Sequence, residues 1–435
     1  MSEQAGTGPV EAVGRAARVV KAAEAATGVS RAGLIGISVG VLAAGAAAGV
    51  AVERLTVGRT MRRRARAELD ANAPYGSLRG RPRTVAAADG TELYVELDGI
   101  GSTDGTDGTG GPDAGDRAAP GSGSAGPATA GGRKAGAGSR ATAEPLTVVF
   151  CHGYCLNQDS WHFQRAAFRA GVRLVFWDQR SHGRSERSRT FLAGEPASID
   201  QLGGDLRAVL DAVAPTGPLV LVGHSMGGMT IMALADQYPG LFRDRVAGVA
   251  LIGTLAGNWD TVTFGLPTAG AKLFRRVAPG MMKLLGRQVD LVEATRRLGA
   301  DVSAVFYRRF SFGGKDVDPG VVRFAEQLLD ATPIDVVAEF YPVFSVHEKT
   351  DALAALRGIP ALVLTGTKDL LTPPGHGEVM AERLPGAELV LVEDAGHLVM
   401  LERPDLVNHH LAALFAQAAR FRGAAPLPPQ VGEPS

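Results

Sequence analysis

The sequence predicts an α/β fold in which a mostly parallel sheet is flanked by helices on both faces. Short apolar runs rich in β-branched residues recur along the chain with helical stretches between them, and this alternation is typical of a parallel sheet. One of these runs leads through a tight glycine turn directly into a helix. The predicted strands lie at 146–151, 172–177, 219–222, 246–252, 361–365 and 388–392.

The composition excludes several classes of protein. The 435 residues contain 45 basic and 45 acidic side chains, so the charge balance gives no reason to expect nucleic acid as a partner. Two cysteines, Cys151 and Cys155, are too few for a disulfide framework. No Cys/His group has the spacing of a zinc site, and the sequence implies no metal and no cofactor.

The N-terminal region predicts attachment to a membrane. Residues 1–31 are read as a flexible N-terminus, whereas residues 32–52 carry no charge and are long enough to form one transmembrane helix. A cleaved export signal and a soluble or disordered segment are the alternatives. Residues 53–82 form a basic juxtamembrane linker with more arginines than the other flank, which predicts a single-pass cell-membrane protein whose main domain faces the cytoplasm.

The main domain is predicted at 83–422 and begins with a β-hairpin. Residues 99–144 are rich in Gly, Ser, Ala and Thr with almost no large apolar side chain, so we expect a disordered insertion there. Residues 254–350 contain helical stretches and no clear strand, which predicts a helical cap over the sheet. The Pro-rich residues 423–435 are expected to form a loose C-terminal tail.

The glycine turn is the G-x-S-x-G sequence at 223–227, between a strand and a helix predicted from Met229 to Tyr238. A serine that projects from such a strained bend needs the two glycines, because they let the strand and the helix pass closely. The same pattern occurs at 36–40, but no strand-to-helix change surrounds Ser38. Ser225 is therefore the candidate nucleophile, and Ser38 is expected to be inert.

A serine hydroxyl becomes nucleophilic when an imidazole takes its proton and a carboxylate holds that imidazole in one tautomer. Asp369 and His397 each follow a predicted strand downstream of Ser225, in the order Ser, Asp, His. Asp260, which follows the strand 246–252, is the rival acid. Asp178 precedes the nucleophile and is not assigned this role.

Three further histidines are assigned to loop packing rather than to catalysis. They lie beside glycines at strand ends or in the turn that follows a strand. These residues are His152, His182 and His224.

With these motifs, the chain resembles the α/β-hydrolase fold family of the Ser-His-Asp type over about Arg83 to Arg420, apart from the insertion. The resemblance implies that Ser225 is the nucleophile, Asp369 the orienting acid and His397 the base. It also implies an oxyanion hole formed by the backbone N–H groups of Met226 and Tyr154.

The motifs also separate the chain from some branches of that family. The loop His-Gly-Tyr-Cys at 152–155 lacks the His-Gly-Gly-Gly form of the hormone-sensitive-lipase branch. The serine at the nucleophile position also distinguishes the chain from the dehalogenases and epoxide hydrolases of the same fold, which use aspartate at that position.

The substrate is predicted from the cap, whose aromatic and aliphatic side chains, Trp259 and Phe264 among them, favour an apolar pocket. Together with a membrane anchor, this indicates a small-molecule, lipophilic carboxylic ester that is hydrolysed through an acyl-serine intermediate. Alternatives that use the same triad are a cofactor-free perhydrolase, an acyltransferase and a carbon-carbon bond hydrolase. A non-catalytic binding module with a vestigial site is the alternative from a different class.

Overall fold

A computed structural model describes residues 74–100, 144–287, 307–428 and 431. The predicted flexible N-terminus and the predicted transmembrane helix, 32–52, lie outside these residues. So do most of the predicted juxtamembrane linker, most of the predicted insertion and part of the C-terminal tail. Within the described ranges, no helix is both long and apolar enough to cross a membrane.

Eight strands form one sheet, and all six strands predicted above are among them. The strands are β1 (Arg81–Ala86), β2 (Glu92–Gly99), β3 (Thr147–Cys151), β4 (Arg173–Trp177), β5 (Leu219–His224), β6 (Val246–Ile252), β7 (Ala361–Gly366) and β8 (Glu388–Val392). Their order across the sheet is β1-β2-β4-β3-β5-β6-β7-β8. β2 is antiparallel to both β1 and β4, and the other neighbours are parallel. The predicted α/β class with a mostly parallel sheet is confirmed.

Helices connect the parallel strands. The α-helices include α1 (His162–Phe168), α2 (Arg189–Leu192), α3 (Ile199–Val213), α4 (Met226–Gln237), α5 (Pro239–Asp244), α6 (Thr268–Gly286), α7 (Pro319–Asp330), α8 (Ile334–Phe340), α9 (Val343–Val346), α10 (Pro374–Arg383), α11 (Val399–Glu402) and α12 (Pro404–Arg422). Short 3-10 helices span Gln158–Trp161, Trp259–Thr261 and Asp351–Leu356.

Two apolar clusters cover the two faces of the sheet. Along β5, Leu219 and Leu221 belong to one cluster, whereas Val220 and Val222 belong to the other. This division follows from the period of two residues in a strand, which sends successive side chains to opposite faces. Side chains of α3 and α4 complete the first cluster, and those of α1 and α12 complete the second. The central strands are therefore buried on both sides, as parallel strands require.

The described residues between β6 and β7 form helices and contain no strand. The four helices α6 to α9 lie in this segment, which is the region where the sequence predicts a cap. Val336 and Phe340 of α8 and Phe344 of α9 are buried in the apolar cluster that also contains α4. Helices α8 and α9 of this segment are therefore packed in the cluster that contains α4, whereas Val321 and Phe324 of α7 are buried in the other cluster.

Some local details differ from the sequence-based expectations. Helix α4 begins at Met226, three residues before its predicted start at Met229, because Ser225 itself occupies the N-cap position. The short helices α2 and α5 have too few residues for a periodic apolar pattern, and the sequence does not reveal them.

Candidate active site

Ser225 lies at the sharp turn between β5 and α4. Its backbone has φ +52 and ψ −119, which is a left-handed conformation that residues other than glycine rarely adopt. Four hydrogen bonds hold this turn. Ser225 N donates to Ile252 O at 3.0 Å, and Ser225 O accepts from Thr254 Oγ1, Gly228 N and Met229 N at 2.7, 2.9 and 3.3 Å. The turn therefore has the geometry of a nucleophile elbow.

The two glycines of the motif are required by the close approach of β5 and α4. A Cβ placed on Gly223 would lie 2.6 Å from the carbonyl oxygen of Gly227. A Cβ placed on Gly227 would lie only 2.1 Å from the carbonyl oxygen of Cys151 at the end of β3. Both distances are far below van der Waals contact, so a side chain at either position would force the strands and the helix apart.

Asp369 and His397 are brought into direct contact by the loops after β7 and β8. His397 Nδ1 lies 2.8 Å from Asp369 Oδ2, and both side chains are buried. Thr372 Oγ1 donates to the same carboxylate oxygen at 2.7 Å, while Leu371 N and Thr372 N donate to Asp369 Oδ1 at 2.8 and 2.9 Å. These donors fix the carboxylate, which in turn orients the imidazole so that Nε2 remains as its proton acceptor.

The Ser225 turn and the His397 loop are joined through the neighbouring His224. His224 Nε2 donates to the His397 carbonyl oxygen at 2.9 Å, and the two rings are 4.8 Å apart. Burial, together with the nearby His397, lowers the pKa of His224 well below its ordinary value, so this imidazole is neutral. Among the described residues, no hydrogen bond joins Ser225 Oγ to His397, and such contacts often form only when substrate is bound.

The two predicted oxyanion donors are the backbone N–H groups of Met226 and Tyr154. Neither the Met226 nor the Tyr154 backbone N–H has a hydrogen-bond partner within the described part of the chain. Met226 is the first residue of α4, where the free N–H groups and the helix dipole favour negative charge. The loop of Tyr154 lies beside the nucleophile, since a Cβ on Gly153 would be 3.2 Å from Ser225 Cβ. An oxygen bound next to Ser225 could accept from both amides.

The other candidate residues have structural partners. Gln179 N donates to His152 Nε2 at 2.9 Å, and burial lowers the pKa of His152 to about 3. His182 Nδ1 donates to Arg180 O at 3.0 Å, and burial lowers the pKa of His182 to about 4. Both imidazoles are therefore neutral near pH 7.

Neither alternative acid contacts His397. Asp178 Oδ1 accepts from Gln158 N at 2.7 Å and Asp178 Oδ2 accepts from Arg184 N at 2.9 Å, so this carboxylate joins the 3-10 helix Gln158–Trp161 to the turn after β4. Burial raises the pKa of Asp178 to about 6. The rival acid Asp260 is exposed in the 3-10 helix that follows β6.

Sequence reasoning noted the Thr372-Pro373 pair after Asp369 but did not predict the hydrogen bonds by which Thr372 and Thr254 support the site. Thr372 bonds to Asp369, and the sequence places it three residues later in a Thr-Pro pair, which is a usable signal. Thr254 holds the Ser225 carbonyl across 29 positions of sequence, and no local pattern marks that contact.

Trp259 and Phe264, predicted as apolar cap residues, meet at 5.6 Å between ring centroids, and Trp259 stacks on Phe344 at 5.2 Å.

A cavity of about 300 Å³ lies where the loop after β6 meets α10. Its lining includes Asn258, Thr261, Pro373 and His376, but not Ser225 or His397, so the cavity is adjacent to the acid's loop rather than at the nucleophile. In the described residues, no cluster of His, Cys, Asp and Glu is arranged to hold a metal ion.

Comparisons with known proteins identify relatives of similar sequence. A curated relative is the dihydrolipoyllysine-residue acetyltransferase component of the acetoin cleaving system of Pseudomonas putida, 27% identical over 62% of this chain. The chain spans 62% of the length of that protein. The non-heme chloroperoxidase of Streptomyces lividans is 28% identical over 62% of this chain and 91% of its own length. The monoacylglycerol lipase of Mycolicibacterium smegmatis is 30% identical over 50% of this chain and 74% of its own length.

A solved structure shares the fold. The thermophilic esterase of Thermogutta terrifontis has a TM-score of 0.53 and 23% identity, covering 78% of this chain and 98% of that one. The family model for the alpha/beta hydrolase fold matches residues 147–404, which is more than half of the chain. The chain therefore belongs to the α/β-hydrolase fold family and is an enzyme of that family.

Proposed function

We propose that the protein is a serine hydrolase that cleaves carboxylic esters through an acyl-serine intermediate. The observation that carries this proposal is the buried pair of His397 and Asp369, 2.8 Å apart, beside a serine held at a positive-φ turn. Support also comes from the backbone amides of Tyr154 and Met226, which have no hydrogen-bond partner among the described residues. The monoacylglycerol lipase relative agrees with hydrolysis of an ester.

The proposed reaction has two halves. In the first, His397 takes the Ser225 hydroxyl proton while the oxygen attacks the ester carbonyl carbon, and the carbonyl electron pair moves onto oxygen. The N–H groups of Tyr154 and Met226 stabilise that oxyanion. His397 then gives the proton to the departing alcohol, which leaves an acyl-serine. In the second half, water gives a proton to His397 as its oxygen attacks the acyl carbon. His397 then returns that proton to the Ser225 oxygen as the acyl-oxygen bond breaks, which releases the acid and free Ser225.

We propose a lipophilic acyl group for the substrate. Trp259, Phe264 and Phe344 form a ring cluster in the cap, and such side chains favour an apolar ligand. Attachment of the enzyme to a membrane by residues 32–52 would bring it close to such esters. The membrane attachment is proposed because these residues form an uncharged run in the sequence. A panel of esters of increasing acyl length tests the preference, and faster turnover of short, polar esters would contradict it.

Perhydrolysis is a second candidate. The chloroperoxidase relative favours it, because hydrogen peroxide in place of water in the second half would release a peracid. The two candidates share the acyl-serine and differ only in the acceptor. Measuring acid and peracid from one ester at fixed peroxide concentration separates them.

The test of the shared mechanism is Ser225→Ala. We expect loss of fluorophosphonate labelling and at least a ~10³-fold loss of ester turnover with folding retained, because the hydroxyl is the attacking group. The matched control is Ser38→Ala, the serine of the second G-x-S-x-G sequence, which should keep both activities. Undiminished turnover by Ser225→Ala would remove this residue from the mechanism.

A further inference from the structure

The cap is fastened to the core by a cluster of charged and polar side chains, which we name the cap latch: Ser181, Arg187, Asp335 and Glu339. Ser181 Oγ donates to Glu339 Oε1 at 3.0 Å, and Arg187 Nη2 lies 3.0 Å from Glu339 Oε2. Arg187 Nη1 lies 2.6 Å from Asp335 Oδ2. The Glu339 side chain is fully buried, so its pairing with Arg187 is part of the packed cap-to-core contact rather than a solvated surface pair.

Tyr154 is a second fastening of the same cap helix. Its hydroxyl donates to the backbone oxygen of Val337, which lies in α8 between Asp335 and Glu339. Its ring meets Phe344 of α9 edge-on at 5.1 Å between centroids. The Tyr154 side chain is therefore held by the cap, whereas its backbone belongs to the core loop after β3.

The backbone of Tyr154 is at the reaction centre. Its unpaired N–H is one of the two proposed oxyanion donors, and the adjacent Gly153 lies against Ser225. The loop turns sharply at Cys155, which has φ +59, and Leu156 N donates to Gly153 O at 3.2 Å. Because side chain and amide belong to one residue of this short turn, a shift of α8 displaces the amide.

We infer that α8 positions the oxyanion donor: the Tyr154 hydroxyl, bonded to Val337, and the cap latch keep the Tyr154 amide in place beside Ser225. Tyr154 thus acts through its side chain as a positioning residue, and Arg187 and Glu339 act through α8. This inference rests on the proposed function. It makes turnover depend on whether the cap is seated, although no group of the cap latch takes part in the reaction.

The first test is Tyr154→Phe, which removes the hydroxyl and keeps the amide. Removing an oxyanion donor costs about 10²- to 10³-fold in kcat, so displacing one should cost about tenfold. We expect kcat per active site, counted by fluorophosphonate titration, to fall about tenfold, with KM changed less than about twofold. An unchanged kcat with a lowered Tm would overturn the inference, because the hydroxyl would then only stabilise the cap.

The second readout is a trifluoromethyl ketone inhibitor. The Ser225 oxygen bonds to its carbonyl carbon, the serine proton passes to His397, and the carbonyl electron pair becomes an oxyanion at the two amides. Its inhibition constant should rise in Tyr154→Phe by the same factor by which kcat falls. An unchanged constant would contradict a role in oxyanion positioning.

The third test addresses the cap latch through the double variant Arg187→Gln/Glu339→Gln. It avoids leaving an unpaired buried carboxylate, so folding is expected to survive. We expect kcat to fall severalfold, in the same direction as Tyr154→Phe, while Arg189→Ala keeps the wild-type kcat. Arg189 is the matched control because it lies two residues away and pairs with Glu186 rather than with the cap.

A wild-type kcat in the double variant would overturn the part played by the cap latch. The proposed function is judged separately by Ser225→Ala: if that variant keeps its turnover, the mechanism fails. If only the Tyr154 and cap-latch variants keep theirs, the mechanism stands and this inference fails.

Discussion

Ser225 has a backbone conformation that is unfavourable for a residue with a side chain. Its positive φ costs on the order of 1–3 kcal/mol for a residue with a side chain. The bonds from Thr254 and Gly228 to its carbonyl oxygen help to offset that cost. In a nucleophile elbow, such a backbone conformation presents the serine hydroxyl to the substrate.

The glycines around Ser225 can be tested one residue at a time. Gly227→Ala should destabilise the protein by about 1–3 kcal/mol and abolish most turnover, because the new Cβ meets the Cys151 carbonyl oxygen. Gly204→Ala is the control: it lies in α3 with no atom within 4 Å of its Cβ position, so stability should rise by ~0.5–1 kcal/mol. Urea unfolding and ester assays measure both; wild-type stability for Gly227→Ala would contradict the close approach.

His224 illustrates how burial controls charge beside the base. Its carbonyl-bonded imidazole has a strongly lowered pKa, caused first by desolvation and then by His397. A neutral His224 adds no positive charge next to His397 when that base takes the serine proton. The residue supports the site without exchanging a proton itself.

At the scale of elements, the sheet order explains where a long insertion is tolerated. β2 ends with Gly99 paired to Arg173, and β3 begins with Thr147 paired to the same Arg173 of β4. The segment between β2 and β3 therefore starts and finishes beside the first residue of β4, on either side of that strand. Its two ends are separated by two strand spacings, or about 10 Å.

This geometry predicts that the segment can be shortened. Replacing residues 101–143 by a six-residue Gly/Ser linker, which can span up to ~20 Å, should leave Tm and kcat close to wild type. Differential scanning calorimetry and the ester assay measure the outcome. Loss of the folded protein or of turnover would indicate that the segment contributes contacts to the domain.

At the scale of the whole molecule, we expect the proposed membrane attachment to be separable from the proposed catalytic activity. We expect the full chain to stay with membranes after an alkaline wash, because residues 32–52 contain no charge. The variant Val41→Arg/Leu42→Arg should release the protein with its turnover retained, since each arginine at the centre of a span costs ~2.5–3.5 kcal/mol. Recovery of the wild-type chain wholly in the soluble fraction would contradict the attachment.

The sequence by itself determined the elements whose signal is local. Strand β6 has the predicted bounds, 246–252, because its apolar run is a property of neighbouring residues. The glycine turn and the order of Ser225, Asp369 and His397 could likewise be read along the chain. Each depends on residues next to one another or on the ends of strands.

Tertiary structure alone decided which distant groups meet. The hairpin strand β2 pairs with β4 rather than with β3, which follows it in sequence. The contact of Thr254 with Ser225, and the bonds that join Tyr154 and Arg187 to α8, have no counterpart in any local pattern. The physical reason is that periodicity reports which face of an element is buried, whereas partners 29 to 183 positions apart are selected only when the elements pack.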